Sequence, residues 1–356
     1  MHMTGIAVIF VAVGVGLSTL VSIFDNRVDF FQLLLATLIL VCVGSVLFKS
    51  SKLGATDQAS IFTAVGTTWL VVSLLGTIPY LLAGTFSRAG IGLPEVFVDS
   101  LFESVSGFTA TGSTVFGVHN PIQSQSSGIL LYRQLTQWMG GMGIVVLVVS
   151  VLPSLRASGL GLIDAEAPGA GVERIAPRVV QTAKKFWYIY ASLTVLITLG
   201  FFVFGMRPFD AVAHGLTTAS TGGFSTKDAS LGYWNSITIE MVAMVGFLIA
   251  ATNFTLHARL IEKKRFDYVS DPEFKSFIGI IVLGVLIIAL LLNGDGFSFG
   301  SSLRNASFNV VTLATSGGYG NALGSGQVGD FASWPGSTQM LLLFFIVLGG
   351  LSLIHI

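Results

Sequence analysis

Three stretches of the sequence repeat one arrangement of polar and glycine residues: Asp99 to Gly112 (DSLFESVSGFTATG), Asp210 to Gly223 (DAVAHGLTTASTGG) and Asn305 to Gly318 (NASFNVVTLATSGG). With Gly112, Gly223 and Gly318 in register, four polar columns align. Asp99, Asp210 and Asn305 stand thirteen residues earlier, and Glu103, His214 and Asn309 nine earlier. Ser106, Thr217 and Thr312 stand six earlier, and Thr109, Ser220 and Thr315 three earlier. A register on Gly222 and Gly317 is the alternative; the Asp99/Asp210/Asn305 column favours the later glycines. A strand of Gly, Ser and Thr can offer main-chain carbonyls and hydroxyls in place of the water shell of a small cation. Glycine tolerates the dihedrals that turn successive carbonyls to one side. The candidate ion-binding strands are therefore Thr109, Ala110, Thr111 and Gly112, within Thr109 to Thr114; Ser220, Thr221, Gly222 and Gly223; and Thr315, Ser316, Gly317 and Gly318. The carbonyls of Thr111, Gly112, Thr221, Gly222, Ser316 and Gly317 are the expected ligands. The plainer alternative is three flexible surface loops, which a single segment would fit as well.

About a dozen residues before each glycine form a helix too short to span a bilayer, expected to start at its Asp or Asn as N-cap. Its partly negative C-terminal end then faces the candidate site and favours a cation. Irregular backbone at membrane depth survives only where protein or water satisfies it, so each segment should dip in and return.

A membrane setting follows from composition. The chain has 356 residues, 53% hydrophobic and 10% charged, with a mean hydropathy of +0.82. Soluble proteins carry about 25% charged residues, so lipid has to cover the sides. The net charge is zero, which suggests no nucleic-acid partner. The lone Cys42 has no partner for an intrachain disulfide and is expected to pack. Met1 to Gly5 carries no Lys or Arg, so a cleaved signal peptide is not expected.

Apolar runs of the length a bilayer requires fall near Gly5–Ile23, Phe30–Phe48, Phe62–Leu82, Ile129–Leu152, Phe186–Phe204, Ile237–Leu256 and Phe277–Leu292, with an eighth from Met340 to Ile356. Twelve of the 18 basic residues lie in three segments. These are Lys49 and Lys52; Arg156, Arg174, Arg178, Lys184 and Lys185; and Arg259, Lys263, Lys264, Arg265 and Lys275. All follow even-numbered spans, so alternation puts them on one side with the N-terminus, and the positive-inside rule makes that side the cytoplasm. The expected fold class is all-α, a polytopic membrane protein of repeated helix–pore-loop–helix units. Residues 1–52 give two preliminary helices, 53–155 a first unit, 156–262 a second with its cytoplasmic linker, and 263–356 a third.

The stretch Phe102 to Thr114 (FESVSGFTATGST) resembles the first pore loop of the Trk/Ktr/HKT superfamily of potassium transporters, and Pro208 to Asp228 resembles the second. Arg133 to Ile144 (RQLTQWMGGMGI) is similar to the start of the first inner helix in the Trk branch. Asn253, Phe254, Leu256 and His257 fit the same pattern, as do two helices ahead of the first unit. The resemblance implies K⁺ translocation across the cytoplasmic (inner) membrane. It also implies four non-identical units around a pseudo-fourfold pore, a homodimer, and a cytoplasmic nucleotide-binding regulatory subunit of the TrkA kind. In this superfamily a serine in place of the first-loop filter glycine accompanies Na⁺ permeation, so glycine at 112 favours K⁺. Gly349 and Gly350 look like the start of a gating stretch, after which the sequence reads LSLIHI. A fourth unit is not in this sequence, and the chain as written is expected not to conduct selectively. The competing readings are a non-conducting partner subunit and a secondary transporter of another solute. The latter expects inverted repeats, whereas these three share one orientation.

Among single residues, Glu103 and Glu240 are carboxylates in apolar surroundings, where charge is costly enough to suggest function. Glu103 should attract cations or brace the filter, while Glu240 is expected to reach the interface. Arg133 and Lys227 should be held in salt bridges, with Glu103 or Asp228 as partners. Phe224 and Tyr319 should pack behind the filter, and Gly140, Gly141 and Gly143 should allow close helix packing. His257 reads as an interface residue, and His119 and His214 share no spacing with other ligands, so no structural metal is expected. No nucleophile–base set or nucleotide fingerprint appears, and no enzyme activity or organic cofactor is expected. The loop Pro153 to Lys185, and likewise Glu262 to Glu273, reads equally as a subunit docking surface or a solvated linker.

Overall fold

Long Leu/Ile/Val/Phe runs without interior charge form helices, because in lipid a helix satisfies its own backbone groups. The computed structural model describes residues 2–25, 28–50, 58–88, 90–160, 172–263 and 266–355; the side chains of 58–62, 144–160, 172–180, 263 and 348–355 are not described. Regular structure among these residues is helical, with no strand. Five helical stretches are long and apolar enough to cross a membrane: His2–Ser22, Phe30–Lys49, Thr63–Ala83, Gln181–Val203 and Pro272–Gly294. The chain is a multi-pass helical membrane protein.

Two compact units emerge. The first comprises Met1–Thr109, Ser113–Asn120 and Ser124–Tyr188; the second comprises Ala110–Gly112, Pro121–Gln123 and Ile189–Ile356. The first unit contains α1 (His2–Ser22), α2 (Phe30–Lys49), α3 (Gln58–Leu75), α4 (Ile78–Ala83), α5 (Leu93–Phe108) and α6 (Ser127–Leu160). Val8, Val11 and Val15 of α1 are buried, as are Leu33, Ala36 and Leu40 of α2. The third expected span breaks between α3 and α4. There the Tyr132 hydroxyl donates to the Gly76 carbonyl at 2.7 Å, satisfying an acceptor the break leaves free. Cys42 is exposed on α2 and is not packed in the core as its apolar run suggested.

α7 (Val172–Val203) leads into the second unit. This unit holds α8 (Pro208–Ala219), α9 (Ile237–Ala250), α10 (Phe254–Lys263), α11 (Pro272–Gly294), α12 (Phe299–Ala314) and α13 (Gly336–His355). The sixth expected span, Ile237–Leu256, is broken: α10 leaves α9 at 89°. Asn253 explains the break, since its side-chain oxygen accepts from the Thr255 N–H at 3.0 Å and its hydroxyl at 2.7 Å. A side chain that caps a new helix competes with continuation of the old one. His257 then bridges the corner, its ring nitrogens 3.0 Å from the Ile249 carbonyl and 2.6 Å from the Tyr268 hydroxyl. It is thus a buried structural histidine and not an interface residue. The stretch Pro153–Lys185 is largely helical, because α6 continues to Leu160 and α7 begins at Val172; residues 161–171 lie outside the described ones. In the Glu262–Glu273 stretch, Asp271 caps α11 by accepting from the Phe274 N–H at 2.8 Å.

Candidate ion-coordinating loops

α5, α8 and α12 have 16, 12 and 16 residues. At about 1.5 Å per residue even the longer two fall short of a bilayer core of about 30 Å. Each ends at the predicted hydroxyl. Thr109, Ser220 and Thr315 are the C-caps, and each donates its side-chain O–H to the carbonyl four residues back, at 2.7, 3.1 and 2.8 Å. The helix starts differ from expectation. They begin earlier, after Gly92, Arg207 and Ser298, with proline in the first turn of α5 and α8 and a Ser298 side-chain cap on α12. Asp99 and Asn305 are consequently interior helical residues and Asp210 lies in the first turn of α8, and none of the three is an N-cap.

Beyond each helix the three backbones take the same course. Positive φ recurs at two positions in register: Ala110 (53°) and Gly112 (78°), Thr221 (52°) and Gly223 (81°), Ser316 (59°) and Gly318 (68°). Gly222 and Gly317 are not among the positive-φ residues, so the conformation follows the register of the later glycines. Non-glycine residues in this region cost about 1–2 kcal/mol each, and three such residues at one repeat position mark a conformation the surroundings enforce.

Several residues of the polar columns supply that enforcement by tying a short helix to its returning limb. Nine residues before the glycine, the Glu103 carboxylate accepts from the Thr114 hydroxyl at 2.9 Å and the Val115 N–H at 3.1 Å. His214 occupies the same place in the second segment. Its Nδ1 faces the Asp210 carbonyl at 2.8 Å and so carries the proton, leaving Nε2 to accept from Ser225 Oγ at 2.9 Å. Asn309 donates to Asn305 O at 3.0 Å and Asn321 Oδ1 at 3.3 Å. Thirteen residues before, Asp210 accepts from Thr226 at 2.6 Å, and Asn305 from Asn321 at 2.9 Å. Asp99 instead pairs with Arg88 at 3.0 Å. Six before, Ser106 donates to the Ser113 carbonyl, and Thr312 accepts from the Tyr319 N–H at 2.9 Å.

Charges near the loops are neutralised in pairs. Arg133 and Glu103, 1% and 0% exposed, form a buried ion pair, with the guanidinium 5.4 Å from the Phe116 ring centre. Lys227 lies 3.6 Å from Asp210, not beside Asp228, and 5.0 Å over the Tyr233 ring. Asp228 accepts from the Ile122 N–H at 2.7 Å. Glu240 does not reach an interface: it is 1% exposed and takes a two-pronged contact from Arg304 at 2.7 and 3.0 Å. Sequence reading missed Arg304, which lies 64 residues away.

Within the second unit the second and third loops interlock. A methyl group on Gly223 would lie 2.0 Å from the Gly317 carbonyl oxygen. Tyr319 is buried, with its hydroxyl bonded to Thr217 at 2.5 Å, Thr218 at 3.2 Å and the His214 carbonyl at 3.2 Å. Phe224 is equally buried. In the first unit Gly140 lies so close to the end of α5 that a methyl there would meet the Phe108 carbonyl. Gly143 has ordinary room beside Trp69 and is not a close-packing position. Gly349 and Gly350 fall inside α13. Among the described residues no group of three His, Cys, Asp or Glu side chains is placed to hold a metal ion.

The sequence profile described as cation transport protein TrkH matches residues 28–354. The Trk system potassium uptake protein TrkH of Halomonas elongata is 40% identical over 289 residues, covering 80% of this chain and 56% of that protein. The Escherichia coli protein of the same name is 36% identical over 317 residues, covering 87% and 62%. The matched part thus spans 56% to 62% of the length of these relatives. The crystal structure of the potassium transporter TrkH from Vibrio parahaemolyticus superposes with a TM-score of 0.80 at 32% identity, covering 97% of this chain and 68% of that one. The chain belongs to the TrkH family of cation transport proteins.

Proposed function

We propose that the chain carries three filter strands of a K⁺ uptake protein of the cytoplasmic membrane. The segments 53–155, 156–262 and 263–356 act as successive pore units behind two preliminary helices, 1–52. The carrying observation is the pair of positive-φ positions repeated in register after three short helices. Alternation of left-handed residues with ordinary ones can turn successive carbonyls to one side, and carbonyls so placed replace an ion's hydration shell. The carbonyls of Thr111, Gly112, Thr221, Gly222, Ser316 and Gly317 are the ligands in this reading. The helix ends behind them add negative potential. The positive-inside pattern supports a cytoplasmic N-terminus. A homodimer and a TrkA-like nucleotide-binding subunit on the cytoplasmic face complete the proposal, with Gly349 and Gly350 beginning a gating stretch.

The test is ⁸⁶Rb⁺ uptake in cells lacking their own K⁺ uptake systems. It is run on this chain and on the chain extended to full length with the remainder of the Halomonas elongata relative. Uptake by the extended form that Gly223→Ser abolishes is the expected result. Membrane-inserted protein whose uptake equals the empty vector in both forms would overturn the reading.

A further inference from the structure

The first unit contains a cavity of about 350 Å³ that the proposed ion path does not use. Met3 and Ile6 of α1, Trp69 of α3, Met139 and Gly143 of α6, and Trp187 of α7 line it. Phe108, the last residue of α5, and Gly140 line it as well. The walls are apolar, and the hydroxyl of Thr68 is already engaged, donating to the Ala64 carbonyl at 2.7 Å and lying 3.0 Å from Thr4 Oγ1. No wall residue among those described carries an unsatisfied buried polar atom. Water needs two or more polar partners to occupy such a space, and cavities of this lining stay dry.

The mouth says what fills it. Met3 and Ile6 are 53% and 51% exposed, and Leu70 and Leu74, on the same helix as the lining Trp69, are exposed too. α1 and the Thr63–Ala83 stretch are membrane-spanning by length and hydropathy, so this opening is continuous with the lipid-facing surface. The geometry points to a binding site for one acyl chain of a bilayer phospholipid, whose tail reaches Phe108 where the first short helix hands over to Thr109. The size is within the range of small-molecule sites, about 300–1,000 Å³. The site stands on the cavity alone and holds whichever ion the loops carry.

Filling the cavity tests it. A side chain at Gly143 starts 3.7 Å from Trp69, an ordinary contact, so Gly143→Leu should fold and project into the space; Ala64→Leu is the second variant. The full chain, with Trp234 and Trp334 replaced by phenylalanine, is reconstituted in vesicles of phosphatidylcholine brominated on its acyl chains. Its fluorescence is compared with and without each filling substitution. Native mass spectrometry of the same proteins counts retained phospholipid. Strong quenching and one retained lipid in the unfilled protein, both lost on filling, is the expected outcome. Equal quenching and equal retained lipid in filled and unfilled proteins would overturn the site. So would emission insensitive to brominated lipid in the unfilled protein, which would mean that another protein segment or a second copy covers the cavity.

Discussion

The first loop and the second-and-third pair solve the same problem with different chemistry. All three hold a non-glycine residue at positive φ two places before a glycine that shares it. The first is held by a buried charge, Glu103 paired with Arg133. At the matching position the second and third carry neutral groups, His214 with Ser225 and Asn309 with Asn321; the second adds the Asp210 carboxylate on Thr226, and the two loops make backbone contact at Gly223 and Gly317. Exposure differs as well: Thr109, Thr111, Ser113 and Thr114 are exposed and Ser220, Thr221 and Gly222 are buried, while the third loop lies between, with Thr315 and Gly317 buried and Gly318 exposed. A loop with neighbours on several sides is fixed by packing and weak bonds. A loop with fewer is fixed by an ion pair, which holds firmly only while both partners are present.

The largest expected effect lies at the interlock. Gly223→Ala adds a methyl 2.0 Å from the Gly317 oxygen at a φ of 81°, so steric overlap comes on top of strain of about 1–2 kcal/mol. Gly318→Ala has the same kind of backbone, φ 68°, but open space around the new carbon, and should show the strain alone. Thermal unfolding of the two purified variants should separate them clearly, Gly223→Ala being far the less stable. Equal melting shifts would mean that the two loops do not press on each other.

Next comes the buried pair. Arg133→Gln leaves the Glu103 carboxylate uncompensated and should destabilise by about 3–5 kcal/mol, whereas Arg133→Gln with Glu103→Gln should recover much of the loss. His214→Ala, in the neutral brace, should cost about 1–3 kcal/mol. Combined with Ser225→Ala it should show no comparable recovery, because no charge is stranded. A double-mutant cycle at each site measures the contrast, and similar coupling in both would erase the distinction between the loops.

These partnerships were legible in the sequence only as far as they are local. The four polar columns were visible because most of their partners are close in sequence, on the same helix or its returning limb. Their purpose was misread in part. Asp99, Asp210 and Asn305 looked like N-caps because such residues favour that place, but α5 and α12 start more than a turn earlier, after Gly92 and Ser298, and α8 starts two residues earlier, at Pro208. The bend at Asn253 hid inside an apolar run, since a single capping side chain leaves hydropathy unchanged. Arg304 against Glu240 was out of reach, because 64 residues of chain separate two charges that only the fold brings together.

The smallest effects concern single hydroxyls, and they grade the two kinds of support. Tyr319→Phe keeps the ring against Phe247, whose centre is 5.1 Å away, and removes only the bonds to Thr217, Thr218 and the His214 carbonyl. Side-chain bonds inside membrane proteins average about 0.6 kcal/mol, so the loss should be about 1 kcal/mol and should loosen the third loop against α8. Thr109→Val removes the hydroxyl bond to the Val105 carbonyl of the same helix, and should cost less still. If Thr109→Val proves as damaging as Tyr319→Phe in thermal unfolding, then the hydroxyl at the helix end supports the first loop beyond its own turn. The ion pair would not then be that loop's main anchor.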